Sequence, residues 1–121
     1  MKELTKAEEK VMQILWKIEK GFVKDILAHF EEPKPNYTTI STFLRILEGK
    51  DYVGHKTYGN THEYFPLISK ETYSKVLTNS MVEDYFEGSA QRLVSFFLEN
   101  QKLDSKEVND ILKIIEQNKN K

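Results

Sequence analysis

Cysteine is absent from the chain, which excludes disulfide bonds, thiolate metal sites and a thiol nucleophile. No run of about 18 apolar residues is present either, so no membrane span is expected. The first residues, Met1–Thr5, lack the apolar core of a signal peptide. These absences favour a cytoplasmic protein that is neither exported nor held in a membrane.

An excess of positive charge is also lacking, since the formal net charge is −1. General nucleic-acid-binding proteins usually carry a strong basic excess. The charge of residues 34–58 differs from that of the whole chain, because four cations and two anions give this segment a net charge of +2. These charged residues are Lys34, Arg45, Lys50 and Lys56, with Glu48 and Asp51. Such a segment favours binding through specific contacts and dimerisation over tight non-specific binding.

Recognisable catalytic and metal-binding patterns are missing too. The three histidines, His29, His55 and His62, are not spaced as metal ligands. Carboxylates are scattered along solvated helix faces, and there is neither a glycine-rich phosphate loop nor a nucleophile elbow. We therefore expect no enzyme activity, no metal site and no cofactor.

Helical periodicity is what the chain has instead. Thr5 followed by Glu8 is a capping box, which predicts a first helix that ends near Gly21. A short second helix is predicted over residues 24–31. Residues 32–35 contain two prolines, which forbid its continuation.

The third predicted helix, capped by Asn36 or Thr38 and running to about Lys50, has the most informative pattern. Its apolar stripe has the i, i+3, i+4, i+7 spacing of a packed helix and consists of Ile40, Phe43, Leu44 and Leu47. The opposite face has short hydroxyls, one arginine and a glycine, namely Thr38, Thr42, Arg45 and Gly49, flanked by Thr39 and Ser41. Such a slim face suits a DNA major groove, where hydroxyls bond phosphates or base edges and arginine reaches guanine. A threonine-rich solvated helix is the alternative.

Aromatic and β-branched runs then replace the helical period. Residues 52–58 and 61–65 are joined by Gly59–Asn60, a favoured turn pair, and Pro66 closes the second run. This pattern predicts a β-hairpin. Three helices followed by a hairpin is the order of a winged helix, and we assign this predicted DNA-binding domain to residues 1–67.

Residues 68–121 are predicted to form three more helices, capped at Ser69, Gly88–Ser89 and Asp104. The predicted fold is thus mostly α with a small β-hairpin. These helices are too apolar to be buried against so small a winged helix, so a second copy of the chain is the expected partner. The residues predicted at the dimer interface are Val76, Met81, Phe86, Leu93, Phe97, Val108, Ile111 and Ile115. A helical layer packed on its own domain is the alternative.

Taken together, these patterns resemble the penicillinase-repressor and methicillin-repressor family of bacterial winged-helix regulators. The matching residues are 4–8, Val11–Met12 and Leu15–Trp16, then Thr38–Ile40 with Thr42, Leu44, Arg45 and Leu47, and finally Tyr64–Leu67. The resemblance implies a homodimer with its winged helices on the two halves of a palindromic operator and its C-terminal helices intertwined. It also implies repression of operons, often of antibiotic-resistance genes, with release by proteolysis in the C-terminal module.

The chain departs from the family pattern at several positions. The family's Arg-Leu pair late in the recognition helix is Ile46–Leu47 here, with the arginine one position earlier, and the Lys-Gly that follows is Lys50–Asp51. The Asn-Phe pair that is cut in the resistance repressors corresponds to Phe96–Phe97, so release at that bond and a β-lactam signal do not carry over. Relatives that sense copper have C-terminal cysteines, which this chain lacks.

Candidate DNA-binding residues lie on the third helix and the hairpin. On the helix they are Tyr37, Thr38, Thr39, Ser41, Thr42, Arg45 and Lys50. Tyr37 stands at the helix start, where it either donates to a phosphate or packs on the second helix. The hairpin candidates, for the DNA backbone or minor groove, are His55, Lys56, Tyr58 and Asn60. An ordinary solvated hairpin tip is the alternative for this second group.

The sequence therefore predicts a transcriptional repressor that binds double-stranded DNA as a homodimer and controls a resistance-type or sensor-protease operon. A regulatory protease is a further expected partner. The alternative is a winged-helix adaptor that binds another protein without specific DNA binding. An adaptor surface would show exposed aromatic or aliphatic anchors, and its binding would not fall steeply with salt.

Overall fold

Six helices and one hairpin make up residues 4–100 and 103–119, the part of the chain that the computed structural model describes. In chain order they are α1 (Lys6–Ile18), α2 (Val23–Leu27), α3 (Tyr37–Gly49), β1 (Val53–Tyr58), β2 (Thr61–Pro66), α4 (Lys70–Tyr85), α5 (Ala90–Asn100) and α6 (Ser105–Lys119). This order confirms the mostly helical fold with a small antiparallel hairpin. The chain forms two compact units that divide after Thr78, within α4. The functional boundary after residue 67 stays a prediction.

Helix α1 begins at the predicted capping box. The Glu8 N–H donates to the Thr5 hydroxyl at 3.2 Å, and the Thr5 N–H donates to the Glu8 carboxylate at 2.8 Å. The helix ends at Ile18, earlier than predicted, because Glu19 takes a positive φ of 74° and its N–H bonds the Leu15 carbonyl.

Helix α2 is shorter than the predicted 24–31 and ends at Leu27. Beyond it, the His29 and Phe30 N–H groups bond carbonyls three residues back, at 3.1 and 3.0 Å. These bonds tighten the chain into a turn instead of extending the α-helix. Asp25 bonds the Phe22 N–H at 2.9 Å and so satisfies a free donor at the start of α2.

The hairpin has the predicted turn at Gly59–Asn60, with Val53 opposite Pro66 and Tyr58 opposite Thr61. Gly59 has φ of 60°, a conformation that glycine adopts without steric cost. A further bridge attaches the hairpin to the segment after α1. It consists of two backbone bonds between Gly21 and Tyr64, of 2.9 and 2.8 Å.

The core of the first unit lies between α1, α2, α3 and the start of the hairpin. Ile40, Leu44 and Leu47 of the predicted stripe are fully buried, and Phe43 packs at the edge of the core. Other side chains with no exposed surface are Val11, Met12, Leu15, Ile26, Tyr52 and Val53. Burying each aliphatic side chain contributes about 1.5–3 kcal/mol. The predicted packed face of α3 is thus confirmed.

The start of α4 and the segment just before it belong to this first unit, and three hydrogen bonds attach them. The Trp16 indole N–H donates to the Ile68 carbonyl at 2.8 Å. The Tyr73 hydroxyl accepts from the Leu4 N–H at 2.9 Å and donates to the Glu9 carboxylate at 3.0 Å. Burial, together with the nearby Glu9 charge, raises the pKa of Tyr73 to about 12. The phenol therefore stays neutral and keeps both bonds at any ordinary pH.

Glu8 is a buried carboxylate, 3% exposed, and Lys50 from the end of α3 reaches it. The Lys50 ammonium lies 3.1 and 2.9 Å from the two carboxylate oxygens. Burial opposes ionisation of Glu8, but the hydrogen bonds from Thr5 and Lys50 outweigh it, so its pKa lies below the usual value. The pair therefore joins the first turn of α1 to the end of α3.

The C-terminal helices begin at the predicted caps. The Ser69 hydroxyl accepts from the Thr72 N–H at 3.0 Å, and the Ser89 hydroxyl accepts from the Arg92 N–H at 3.2 Å. The Asp104 carboxylate accepts from the Glu107 N–H at 2.8 Å. In α5, no residue is buried within a single chain.

Replacing Tyr73 by phenylalanine should lower the free energy of unfolding by about 1–3 kcal/mol, since the buried Leu4 N–H loses its acceptor. Denaturant unfolding would measure this change. Tyr85→Phe is the matched control, because Tyr85 lies on the same helix and is 79% exposed. Equal stability of the two variants would contradict a structural role for the Tyr73 hydroxyl.

Replacing Lys50 by methionine should cost about 1–3 kcal/mol at pH 7, because it leaves the Glu8 carboxylate buried without its cation. The lowered pKa of Glu8 means that the charged carboxylate stabilises the fold above its unfolded pKa, and this stabilisation is lost as the pH falls through its folded pKa. The difference in free energy of unfolding between the wild type and Lys50→Met should therefore become smaller in acid. Unfolding curves between about pH 3 and 7 would test this. Lys56→Met, at an exposed position, is the control. A loss of stability in Lys50→Met that stays equally large in acid would argue against the ion pair.

Candidate nucleic-acid interface

The outward face of α3 is exposed as the sequence predicts. Thr38, Thr42, Arg45 and Gly49 are exposed, while the flanking Thr39 and Ser41 are half-buried. The Thr42 hydroxyl donates to the Thr38 carbonyl one turn earlier, at 2.9 Å. Thr38, Thr42 and Gly49 thus present small groups around the single guanidinium of Arg45.

Tyr37, the first residue of α3, is 54% exposed. Its side chain lines a cavity of about 300 Å³ together with Phe22, Lys24 and Thr61. Sequence reasoning missed Lys24, although its place in the first turn of α2 could have suggested a cation near the start of α3. The cavity brings a phenol, an ammonium and a hydroxyl together at one end of the exposed α3 face.

The hairpin presents Lys56, Tyr58 and Asn60 to solvent. The Lys56 ammonium lies 5.4 Å from the centre of the Tyr58 ring, and the edge of that ring contacts Phe22 at a centroid distance of 5.8 Å. Strand alternation places Lys56 and Tyr58 on one face of the hairpin and His55 on the other. The predicted wing residues therefore divide between two surfaces.

His55 faces the C-terminal half of α3, where its Nδ1 lies 2.7 and 2.9 Å from the two carboxylate oxygens of Glu48. It lines a cavity of about 640 Å³ with residues of α3 and β2, which are Ser41, Arg45, Glu48, Gly49, His62 and Tyr64. Sequence reasoning had left His62 out of the candidate surface. The hairpin register could have found it, because residues 55 and 62 lie on the same face of the two strands.

Lys50 is the predicted DNA-binding residue that the structure separates from the others. Its ammonium is bonded to the buried carboxylate of Glu8. A cation in such an ion pair cannot reach a phosphate without leaving a buried negative charge unpaired. We therefore correct its assignment from DNA binding to structural support of α3.

The residues predicted to form a dimer interface keep exposed apolar surface in the single chain. Met81 is 40% exposed, and Phe97 and Ile115 are each 43% exposed. The others are half-buried, namely Val76, Phe86, Leu93, Val108 and Ile111. Further exposed apolar residues that the sequence analysis did not select are Leu77, Tyr85, Phe96, Leu98, Leu112 and Ile114.

Within the second unit, Met81, Tyr85, Phe86 and Phe96 line a cavity of about 510 Å³.

Among residues 4–100 and 103–119, no group of three or more histidine, aspartate or glutamate side chains is arranged to hold a metal ion. No helix in the same ranges has the length and apolar character needed to cross a membrane.

Comparison with known proteins identifies relatives along almost the whole chain. The penicillinase repressor family model matches residues 4–117. The penicillinase repressor of Bacillus licheniformis is 28% identical over 120 residues, which cover 98% of this chain and 94% of that protein.

Two solved structures are also similar. A CopR repressor structure is 26% identical and has a TM-score of 0.46, covering 56% of this chain and all of that one. Bordetella bronchiseptica BpsR, whose DNA binding is regulated by 6-hydroxynicotinic acid, is 14% identical with a TM-score of 0.49. That match covers 98% of this chain and 77% of BpsR. Because the family model spans nearly every residue, the chain belongs to the penicillinase repressor family.

Proposed function

We propose that this protein is a cytoplasmic transcriptional repressor that binds double-stranded DNA sequence-specifically, as a homodimer on a palindromic operator. The observation that carries the proposal is the exposed α3 face around Thr38, Thr42 and Arg45, in a chain that matches a repressor family along its length. In a winged helix the third helix enters the major groove, and the wing lies beside it on the backbone or minor groove.

Each proposed DNA contact follows from the chemistry of the exposed group. Arg45 has a planar fork of donors that suits guanine O6 and N7, and Thr38 and Thr42 lie beside it for base edges. Ile46 is 43% exposed and offers an apolar surface for a thymine methyl group.

The remaining contacts are proposed for the phosphate backbone, which positions the protein without reading sequence. The hydroxyls of Tyr37, Thr39 and Ser41 would donate from α3. From the hairpin the contributing residues would be Lys56, Tyr58, Asn60 and His55. Lys24 adds a cation beside Tyr37.

The dimer is proposed from the apolar surface of the second unit. Between Met81 and Ile115, large side chains on all three C-terminal helices are 37–79% exposed in the single chain. Soluble monomers rarely expose contiguous apolar patches of this kind, and a second copy with the same patch would cover it. A dimer also suits DNA binding by a chain whose formal net charge is −1, because two modest half-site contacts add together.

The type of operon is proposed from the family relationship alone: a resistance-type or sensor-protease operon, with a regulatory protease as partner. Phe96–Phe97 lies within α5, so cleavage there would require local unfolding of that helix. A winged-helix adaptor remains the competing function, and salt dependence separates the two, since DNA binding must weaken steeply as salt rises.

Fluorescence anisotropy on the DNA upstream of the gene, against scrambled DNA across a salt series, would test the proposed function. Arg45→Ala should weaken operator binding roughly 5- to 150-fold, the loss of one bidentate base contact, without changing thermal stability. Lys75→Ala removes an equal charge from an exposed ion pair on α4 and serves as control. Equal affinity for the upstream and the scrambled DNA, or an affinity that does not change with salt, would support the adaptor instead.

A charge in the proposed interface should dissociate the dimer. Ile115→Asp buries a carboxylate between two apolar faces in the dimer, whereas in the monomer this position is 43% exposed and tolerates it. Sedimentation velocity should show the wild type as a dimer and the variant as a folded monomer. Lys113→Asp, an exposed position on the same helix, is the control. A variant that still sediments as a dimer would place the interface elsewhere.

A further inference from the structure

Two of the three histidines lie together on one face of the hairpin. In the register, His55 is opposite Tyr64 and Thr57 is opposite His62, so both imidazoles project toward α3. The centres of the two rings are 4.2 Å apart. The two imidazole side chains are therefore in direct contact.

These rings form one wall of the cavity of about 640 Å³, and α3 forms the other. The charged groups from α3 are Arg45 and Glu48, and Ser41 adds a hydroxyl. From β2, the phenol of Tyr64 faces the same space; burial and the nearby Glu48 raise its pKa, so it is a neutral hydrogen-bonding group there. The remaining hairpin charges, Lys56 and Glu63, are opposite each other in the register and lie on the other face of the sheet.

The net charge of this cavity depends on the two imidazoles. With both of them neutral, the charges of Arg45 and Glu48 cancel. With both protonated, the cavity carries a charge of about +2, because His55 neutralises Glu48 and leaves Arg45 and His62 unopposed. The cavity is therefore neutral when both rings are neutral and attracts an anion when both are protonated.

The hydrogen bonds of the two histidines use only one nitrogen of each ring, so the other nitrogen can bond a ligand. His55 contacts Glu48 through Nδ1, at 2.7 and 2.9 Å, and His62 contacts the Thr57 hydroxyl through Nδ1, at 3.1 Å. Both contacts use Nδ1, so Nε2 of each ring remains for a donor bond into the cavity. A tetrahedral oxyanion can accept such bonds from several directions at once.

We propose that this cavity between α3 and the hairpin binds a phosphodiester group of the DNA backbone through protonated His55 and His62, so that DNA binding takes up protons. The inference rests on the proposed DNA-binding function and adds His62 to its surface. Two imidazolium rings in contact repel each other, and a phosphate oxyanion that accepts a hydrogen bond from each of them offsets that repulsion. Glu48 sets the pH dependence, because an unneutralised carboxylate in the cavity repels the phosphate.

The sign of the effect follows from this proton uptake. Because the bound state holds more protons than the free state, affinity rises as the pH falls from about 8 to 6, the range in which imidazoles change charge. Phosphates are common to all DNA sequences, so operator and scrambled DNA should show the same pH dependence. Specificity is then carried by the α3 face and pH response by the cavity.

Anisotropy titrations of the full chain at constant ionic strength, from pH 6 to 8, would test the proposal. Wild-type affinity should rise about tenfold or more over this range, and His62→Gln should remove a large part of that rise. The double variant with His55→Gln as well should bind with little pH dependence. Glu48→Gln should bind more tightly than wild type at pH 8. His29→Gln is the matched control, because His29 lies beyond α2 against the Asp25 carbonyl and should leave the pH dependence intact.

Calorimetry in two buffers of different ionisation enthalpy would count the protons taken up directly, with a value between one and two expected for the wild type. Specific binding that does not change with pH would overturn the proposal and leave the repressor function standing. A pH effect confined to the operator would place the histidines on base edges and overturn the phosphate assignment. No sequence preference at any pH would overturn the repressor function itself.

Discussion

The burial of one apolar stripe on α3 determines what the rest of the first unit can do. Ile40, Leu44 and Leu47 have no exposed surface, and this fixes the rotation of the helix about its own axis. Because a helix places residues three and four apart on one face, burying that stripe leaves Thr38, Thr42 and Arg45 outside. A rotation by one position would move Arg45 into the buried place of Leu44 and Leu44 into the half-buried place of Phe43. The proposed DNA-binding face is thus a direct consequence of hydrophobic packing on the other side of the same helix.

Polar contacts then fix the ends of the elements that this packing orients. The Glu8–Lys50 pair joins the first turn of α1 to the residue after α3, and the Gly21–Tyr64 bridge attaches the hairpin. Each contact is made by groups that are costly to leave buried without a partner. The hairpin is consequently held beside α3, and the cavity that contains the two histidines exists because of that attachment.

Local signals in the sequence were enough to predict most of the elements. The capping box at Thr5, the period of α3 and the turn at Gly59–Asn60 all act over a few residues, and the structure confirms them. The end of α2 was predicted wrongly, because no proline or glycine marks where its hydrogen bonding tightens into a turn. The structural role of Lys50 could not be read locally, since its partner lies 42 residues earlier in the chain. His62, in contrast, could have been found locally, since the predicted Gly59–Asn60 turn sets the register that brings it beside His55.

The hydrogen bond from Thr42 to the Thr38 carbonyl limits what the proposed DNA-binding face of α3 can offer to a base. A hydroxyl has one proton, and here that proton is committed to the helix backbone. While the bond is kept, Thr42 offers only oxygen lone pairs and a methyl group to whatever lies against it. Amino groups of adenine or cytosine and the methyl group of thymine fit such a surface, whereas the acceptor-rich edge of guanine does not. Next to it, Arg45 offers only donors, so neighbouring positions of one helix face prefer opposite base chemistry.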